Sequence, residues 1–155
     1  MSTTTSTPTP SLSKGLLAGL IGGIAGAAVI LVAEEIFPPN PRAEPSPLPA
    51  FPGGEQTAPP ATTAPGYPAI RWAFRAAAGG LYGIAAEWEP SLTAWRGAAF
   101  GITLNRLTHE SLLPRLGLAP SKEEQSTQAR VSSWISHAAY GIATESVRRV
   151  LRRIL

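Results

Sequence analysis

The stretch GLLAGLIGGIAGAAVILVA, residues 15–33, decides the fold class. It runs nineteen residues without a charge or a proline. At about 1.5 Å of rise per residue, a helix of this length nearly crosses a hydrocarbon core of about 30 Å. Lys14 stands before it and Glu34 and Glu35 follow it. A cleaved signal peptide is the rival reading. The run is longer than a usual signal-peptide core, and the acidic pair occupies the place of a cleavage site, so a membrane anchor is expected.

Working outward, three weaker apolar segments follow. Residues 70–87 carry Arg71 and Arg75 in their first turns; residues 97–113 carry Asn105, Arg106, His109 and Glu110; residues 131–147 carry His137 and Glu145. One central charge costs about 2.5–3.5 kcal/mol on insertion scales, so none passes on hydropathy alone. Most of these charges lie near segment ends, where long side chains reach the interface. Trp72, Trp88, Trp95 and Trp134 also fall near the ends, as interfacial belts require. The expectation is an all-α membrane protein, a bundle of about four transmembrane helices within residues 14–155. The alternative is an amphipathic soluble bundle tethered by the first helix.

The rest of the chain dilutes this signal. Residues 1–13 are a Ser/Thr/Pro tract read as a disordered tail, and residues 37–68 are a proline-rich loop unable to form a core. Overall, 44% of residues are hydrophobic and mean hydropathy is only +0.07. Charged residues make up 15%, against about 25% in soluble domains. There is no cysteine, which excludes a disulfide framework, a thiolate metal site and a cysteine nucleophile. Net charge is +3, and Arg148, Arg149, Arg152 and Arg153 crowd one short tail. That cluster suits anionic lipid headgroups, and no nucleic-acid-binding module accompanies it.

Residues 82–87 read YGIAAE and residues 140–145 read YGIATE, and GAA recurs at 26–28 and 97–99. Two repeated helical hairpins would produce such echoes, with the first and third helices equivalent and the second and fourth likewise; chance in a low-complexity sequence is the alternative.

Three stretches carry a family resemblance. One is a Gly/Ala-rich helix entering Ala33-Glu34-Glu35 and then Pro38-Pro39-Asn40-Pro41-Arg42. The second is Tyr82-Gly83-Ile84-Ala85-Ala86-Glu87 with Trp95-Arg96-Gly97. The third runs from His109 through Pro114 and Gly117-Leu118-Ala119-Pro120 to Ser136-His137 and Glu145-Ser146-Val147-Arg148-Arg149. In this order they resemble the YagU-like family of small bacterial inner membrane proteins, departing from it by Asn40 within the proline–arginine stretch and by a short first loop. The resemblance implies a helical inner-membrane protein associated with acid tolerance. It supplies no reaction.

Gly15, Gly19 and Gly23 recur every fourth residue, as do Gly22 and Gly26, Gly79 and Gly83, and Gly97 and Gly101. In lipid such spacing lets helix backbones approach closely. Packing within the chain and a homo-oligomeric contact are both consistent with it. With the helices antiparallel, Glu34 and Glu35 meet Arg71 and Arg75 at one end. Glu87 and Glu145 approach Arg96 and Arg148 at the other. Asn105, Arg106, His109, Glu110 and His137 form a candidate pH-responsive cluster, because histidine titrates nearest neutrality. Charge compensation that makes the helices insertable is the plainer reading.

No nucleophile elbow, phosphate loop or HExxH pattern occurs, so no enzyme, cofactor or metal site is expected. Lys14, Arg96 and the four tail arginines tie in number with Arg42, Arg71, Arg75, Arg115, Lys122 and Arg130 on the opposite side. The tail cluster tips the orientation toward both termini cytoplasmic. The expected function is an effect on membrane permeability or on acid and envelope stress tolerance. The alternative is a scaffold or accessory subunit bound to another membrane protein through glycine faces.

Overall fold

Helix α1, Leu12–Ile36, is built from the decisive stretch and extends it by a turn at each end. The computed structural model describes residues 10–37, 67–112, 115 and 126–155. Helix α2 spans Tyr67–Trp88. A 3-10 segment, Pro90–Gly97, turns the chain into α3, Ala98–Leu107. A π turn, Thr108–Leu112, extends α3. Helix α4 covers Thr127–Ile154 and is capped by Ser126, whose side chain accepts from the Ala129 N–H. Among the described residues there are four α-helices and no strand, so the described part of the chain is all-α. The tail before residue 10, most of the loop at 37–68, and the Pro38–Arg42 and Gly117–Pro120 stretches lie outside the described residues.

The helices alternate in direction, and glycine sets their spacing. A Cβ on Gly19 would run into the backbone of Gly79 and Gly83, and one on Gly15 into the Gly83 carbonyl. One on Gly23 would meet the backbone of Arg75 and Ala76. On its other flank, α1 presents Gly22 and Gly26 to Thr144 and Tyr140 of α4. Gly97 and Gly101 lie in the same way against Gly141 and the His137 carbonyl. The glycines singled out above are therefore used for packing within the chain.

These contacts also correct one register. Gly15 and Gly19 stand to Gly83 and Gly79 as Gly97 and Gly101 stand to Gly141 and His137. The two YGIA segments occupy matching places, but the two GAA triplets do not: Gly26 faces α4, whereas Gly97 opens α3.

The turn into α3 is tight. Trp95 and Arg96 have φ of 51° and 56°, and Gly97 follows at 90°. Left-handed backbone costs a non-glycine residue about 1 kcal/mol or more, and Gly97 alone bears it freely. Helices α1, α2 and α4 have 25, 22 and 28 residues, or about 33–42 Å. Helix α3 and its π turn have 10 and 5 residues, about 22 Å, which falls short of a hydrocarbon core. Among the described helices, α1 alone is both long enough and apolar enough along its length to read as a span by hydropathy.

The radial distribution of side chains is inverted. Asn105, Ser136, Thr144 and Glu145 are each at most 1% exposed, whereas Leu81, Ile70, Ile142, Val150 and Val32 are 42–69% exposed. The buried apolar residues are mostly alanines with Ile30, Tyr82 and Tyr140.

Candidate functional site

Helix α4 positions most of the interior polar groups. Ser132, Ser136, His137, Tyr140, Thr144, Glu145, Arg148 and Arg152 recur at helical spacing and are buried on one face. From Ser132 to Arg152 this stripe runs about 30 Å, close to the thickness of a hydrocarbon core.

At one end lies a buried ion network. Arg152 donates to Glu87 from Nε at 2.6 Å and from Nη2 at 2.7 Å. Arg148 donates to Glu145 from Nε at 2.7 Å and from Nη2 at 3.0 Å, and its Nη1 reaches Glu87 at 3.4 Å. Arg149 Nε also donates to Glu145, and the Tyr82 hydroxyl completes that carboxylate at 2.8 Å. Glu87 takes in addition the Ser11 N–H at the start of α1, at 3.1 Å, where a helix N-terminus favours negative charge. Two carboxylates each gripped by a fork of donors make burial tolerable.

Arg96, expected among these pairs, sits exposed in the left-handed turn. No carboxylate pairs with it among the described residues, and Arg152 occupies the role. Helix α4 continues through all four tail arginines, so Arg148 and Arg152 turn inward while Arg149 and Arg153 stay exposed. Only half of the cluster is therefore presented to its surroundings.

At the other end Glu34 lies 3.8 Å from Arg71 and 3.9 Å from Arg75. Next to this pair the expected polar cluster assembles. The His109 and His137 rings meet edge to face with centroids 5.0 Å apart. The Ser133 carbonyl accepts from His137 Nδ1 at 2.8 Å. The Ser133 hydroxyl donates to Asn105 Oδ1 at 2.6 Å. Trp134 Nε1 donates to Glu110 at 2.7 Å, and the Arg106 guanidinium lies 5.4 Å from the Trp134 ring centre. All five expected residues meet around the start of α4, with Ser133 and Trp134 as connectors the sequence reading lacked.

Between the two ends the stripe is closed. The Tyr140 hydroxyl donates to the Arg75 carbonyl at 2.6 Å. Ser136 Oγ and Thr144 Oγ1 are buried without a hydrogen-bond partner among the described residues. Thr144 and Tyr140 press on Gly22 and Gly26, so a polar path through this region requires α1 and α4 to part.

Tyr82 and Tyr140 were present in the YGIA echo, whose tyrosines the sequence reading left without a role. Arg152 falls seven residues after Glu145, two turns along the same face.

No curated protein and no solved structure matches the chain. Residues 61–146, more than half of its length, match the family described as Protein of unknown function (DUF1440). That span takes in α2, α3, His109, His137, Glu87 and Glu145, and on this match the chain belongs to the DUF1440 family.

Proposed function

We propose that the protein is a multi-pass membrane protein whose four helical segments enclose a polar, ion-paired interior, and that it acts on membrane permeability. The observation that carries this reading is the inverted distribution of side chains, with Asn105, Ser136, Thr144 and Glu145 inside and leucine, isoleucine and valine outside. Water would select the opposite arrangement, since burying polar groups is costly and exposing large apolar ones wastes the hydrophobic effect. In lipid, ionisable groups face the bundle interior and pair with one another, as Glu87, Glu145, Arg148 and Arg152 do. The tryptophans agree: Trp88 and Trp95 fall at the arginine-rich end, Trp72 and Trp134 at the other.

The stripe on α4 suits a proton-related role. It links a histidine pair at one end to a carboxylate–guanidinium network at the other, over about a bilayer's thickness. Its packed middle makes the resting state closed. The resemblance to the YagU-like family points the same way, toward a bacterial inner membrane and acid tolerance. The cation-rich end, with both described chain ends nearby, is then cytoplasmic. A scaffold attached through its glycine faces has less support, because those faces are occupied by neighbouring helices of the same chain.

Proteoliposomes loaded with a pH-sensitive dye test the permeability reading. Wild-type protein is expected to accelerate proton equilibration across the vesicle wall, and a His109→Ala/His137→Ala variant to lose that acceleration. Unchanged flux in the double variant refutes a role for the histidine pair.

A further inference from the structure

Helices α2 and α3 touch where the Tyr82 and Phe100 rings stack, at 4.2 Å between centroids and 18° between planes. Elsewhere they stand apart and leave a cleft of about 510 Å³, with Phe74, Ala78, Ala85, Leu92, Phe100 and Leu104 among its walls. On the α2 side Ala77, Ala78 and Ala85 leave room between the larger Phe74, Leu81 and Tyr82 side chains. Nearly all of its surface is apolar, and the Tyr82–Phe100 stack stands between it and the buried Glu145.

We propose that this cleft holds one acyl chain of an anionic phospholipid whose headgroup rests at the arginine-rich end; this rests on the membrane reading above. Three observations carry it. The first is length: from Phe74 to Ala85 the cleft follows α2 for about 16 Å, half of a hydrocarbon core and so one leaflet. The second is width. A volume of about 510 Å³ over about 16 Å gives a mean section near 30 Å². A section of that size takes a file of methylenes. The third is charge. The end of the cleft at Ser91 and Leu92 belongs to the turn where Arg149 Nη2 reaches Thr93 Oγ1 at 3.4 Å. Arg96 and Arg153 are exposed at that same end. There Lys14, Arg96, Arg148, Arg149, Arg152 and Arg153 outnumber Glu87, Glu89 and Glu145. An anionic headgroup complements this surplus better than a zwitterionic one.

Native mass spectrometry of the full-length protein, extracted from membranes with detergent, tests the proposal. Phosphatidylglycerol and phosphatidylcholine of equal chain length are added in turn. One phosphatidylglycerol per chain is expected to be retained in preference to phosphatidylcholine. Ala78→Trp is expected to abolish retention, while Ala28→Trp on the exposed face of α1 leaves it intact. Ala85→Leu, a milder filling of the cleft, is expected to reduce retention without altering the thermal transition. Arg96→Gln/Arg149→Gln is expected to lower the preference for phosphatidylglycerol by about tenfold or more. Retention unaffected by Ala85→Leu and Ala78→Trp in folded protein overturns the proposal. So does a dimer that the same substitutions dissociate. Recovery of the chain outside the membrane fraction overturns the membrane reading and this inference with it.

Discussion

Arg152 grips Glu87 with two nitrogens, at 2.6 and 2.7 Å, and so ties the last turns of α4 to the last turn of α2. With their side chains 7% and 5% exposed, neither has water to replace the other. Removing one member of such a pair costs about 3–5 kcal/mol, because the remaining charge is left buried and uncompensated. Glu87→Ala and Arg152→Ala should therefore each lower the thermal transition in detergent markedly. The Glu87→Leu/Arg152→Leu double variant should recover much of that loss. Additive losses in the double variant would show that the two side chains act independently.

Tyr82 offers a finer probe of the same network. Its hydroxyl donates to Glu145 at 2.8 Å while its ring stacks on Phe100. Tyr82→Phe keeps the stack and deletes one hydrogen bond to a charged acceptor, worth about 1.5–3 kcal/mol. Tyr82→Leu removes both and should destabilise further. A thermal or denaturant titration of the two variants separates the ring from the hydroxyl.

Gly101 tests the close approach of α3 and α4. In an exposed helix, glycine to alanine stabilises by about 1 kcal/mol. At Gly101 an added methyl would strike the His137 carbonyl, which belongs to helix backbone and cannot turn aside. Gly101→Ala should therefore destabilise the protein, with the sign opposite to that of an open helical position. Gly19→Ala, against Gly79 and Gly83, should behave in the same way. A neutral or stabilising result at both positions would mean the helices lie farther apart than described.

Trp134 should report on the histidine cluster. Its indole N–H donates to Glu110, and Arg106 stacks near its ring. Trp134→Phe keeps the ring face and loses the bond. The expected cost is about 1.5–3 kcal/mol, as for other hydrogen bonds to charged groups. Glu110→Gln should cost less, since a neutral amide oxygen still accepts. Negligible losses from both changes would place the bond outside the stabilising contacts of this end.

Much of this organisation was legible in the sequence, and the illegible parts have physical reasons. The run at residues 15–33 announced α1 because it is apolar on every side. Helices α2 and α4 were harder to read, since their polar residues face inward and depress any average taken along the chain. The glycine spacings foretold close packing but not the partner: Gly19 and Gly22, three residues apart, serve different neighbours. Four arginines in a tail suggested a headgroup patch. Once the helix continues through them, the 3.6-residue period sends Arg148 and Arg152 in and Arg149 and Arg153 out. Arg96 was expected to pair with Glu87 or Glu145, because antiparallel helices bring these residues to one end of the bundle. The left-handed turn at Trp95–Gly97 instead leaves it exposed. The five-residue polar cluster was foreseen, since antiparallel α3 and α4 bring Asn105–Glu110 and His137 to one level. The cleft was not, because it depends on how far α2 and α3 stand apart, which no residue pattern states.

The central claim is that the bundle crosses the membrane four times with its polar face inward, the short α3 crossing where the bilayer thins to meet it. The absence of native cysteine permits single-cysteine labelling of otherwise unaltered protein. Cysteines placed singly at Ser91, between α2 and α3, and at Thr127, at the start of α4, would be labelled with a membrane-impermeant maleimide in sealed vesicles of known orientation. The account expects Ser91→Cys and Thr127→Cys to react from opposite sides, with Leu155→Cys on the side of Ser91→Cys. Labelling of all three from one side would contradict it and leave α1 as the only crossing.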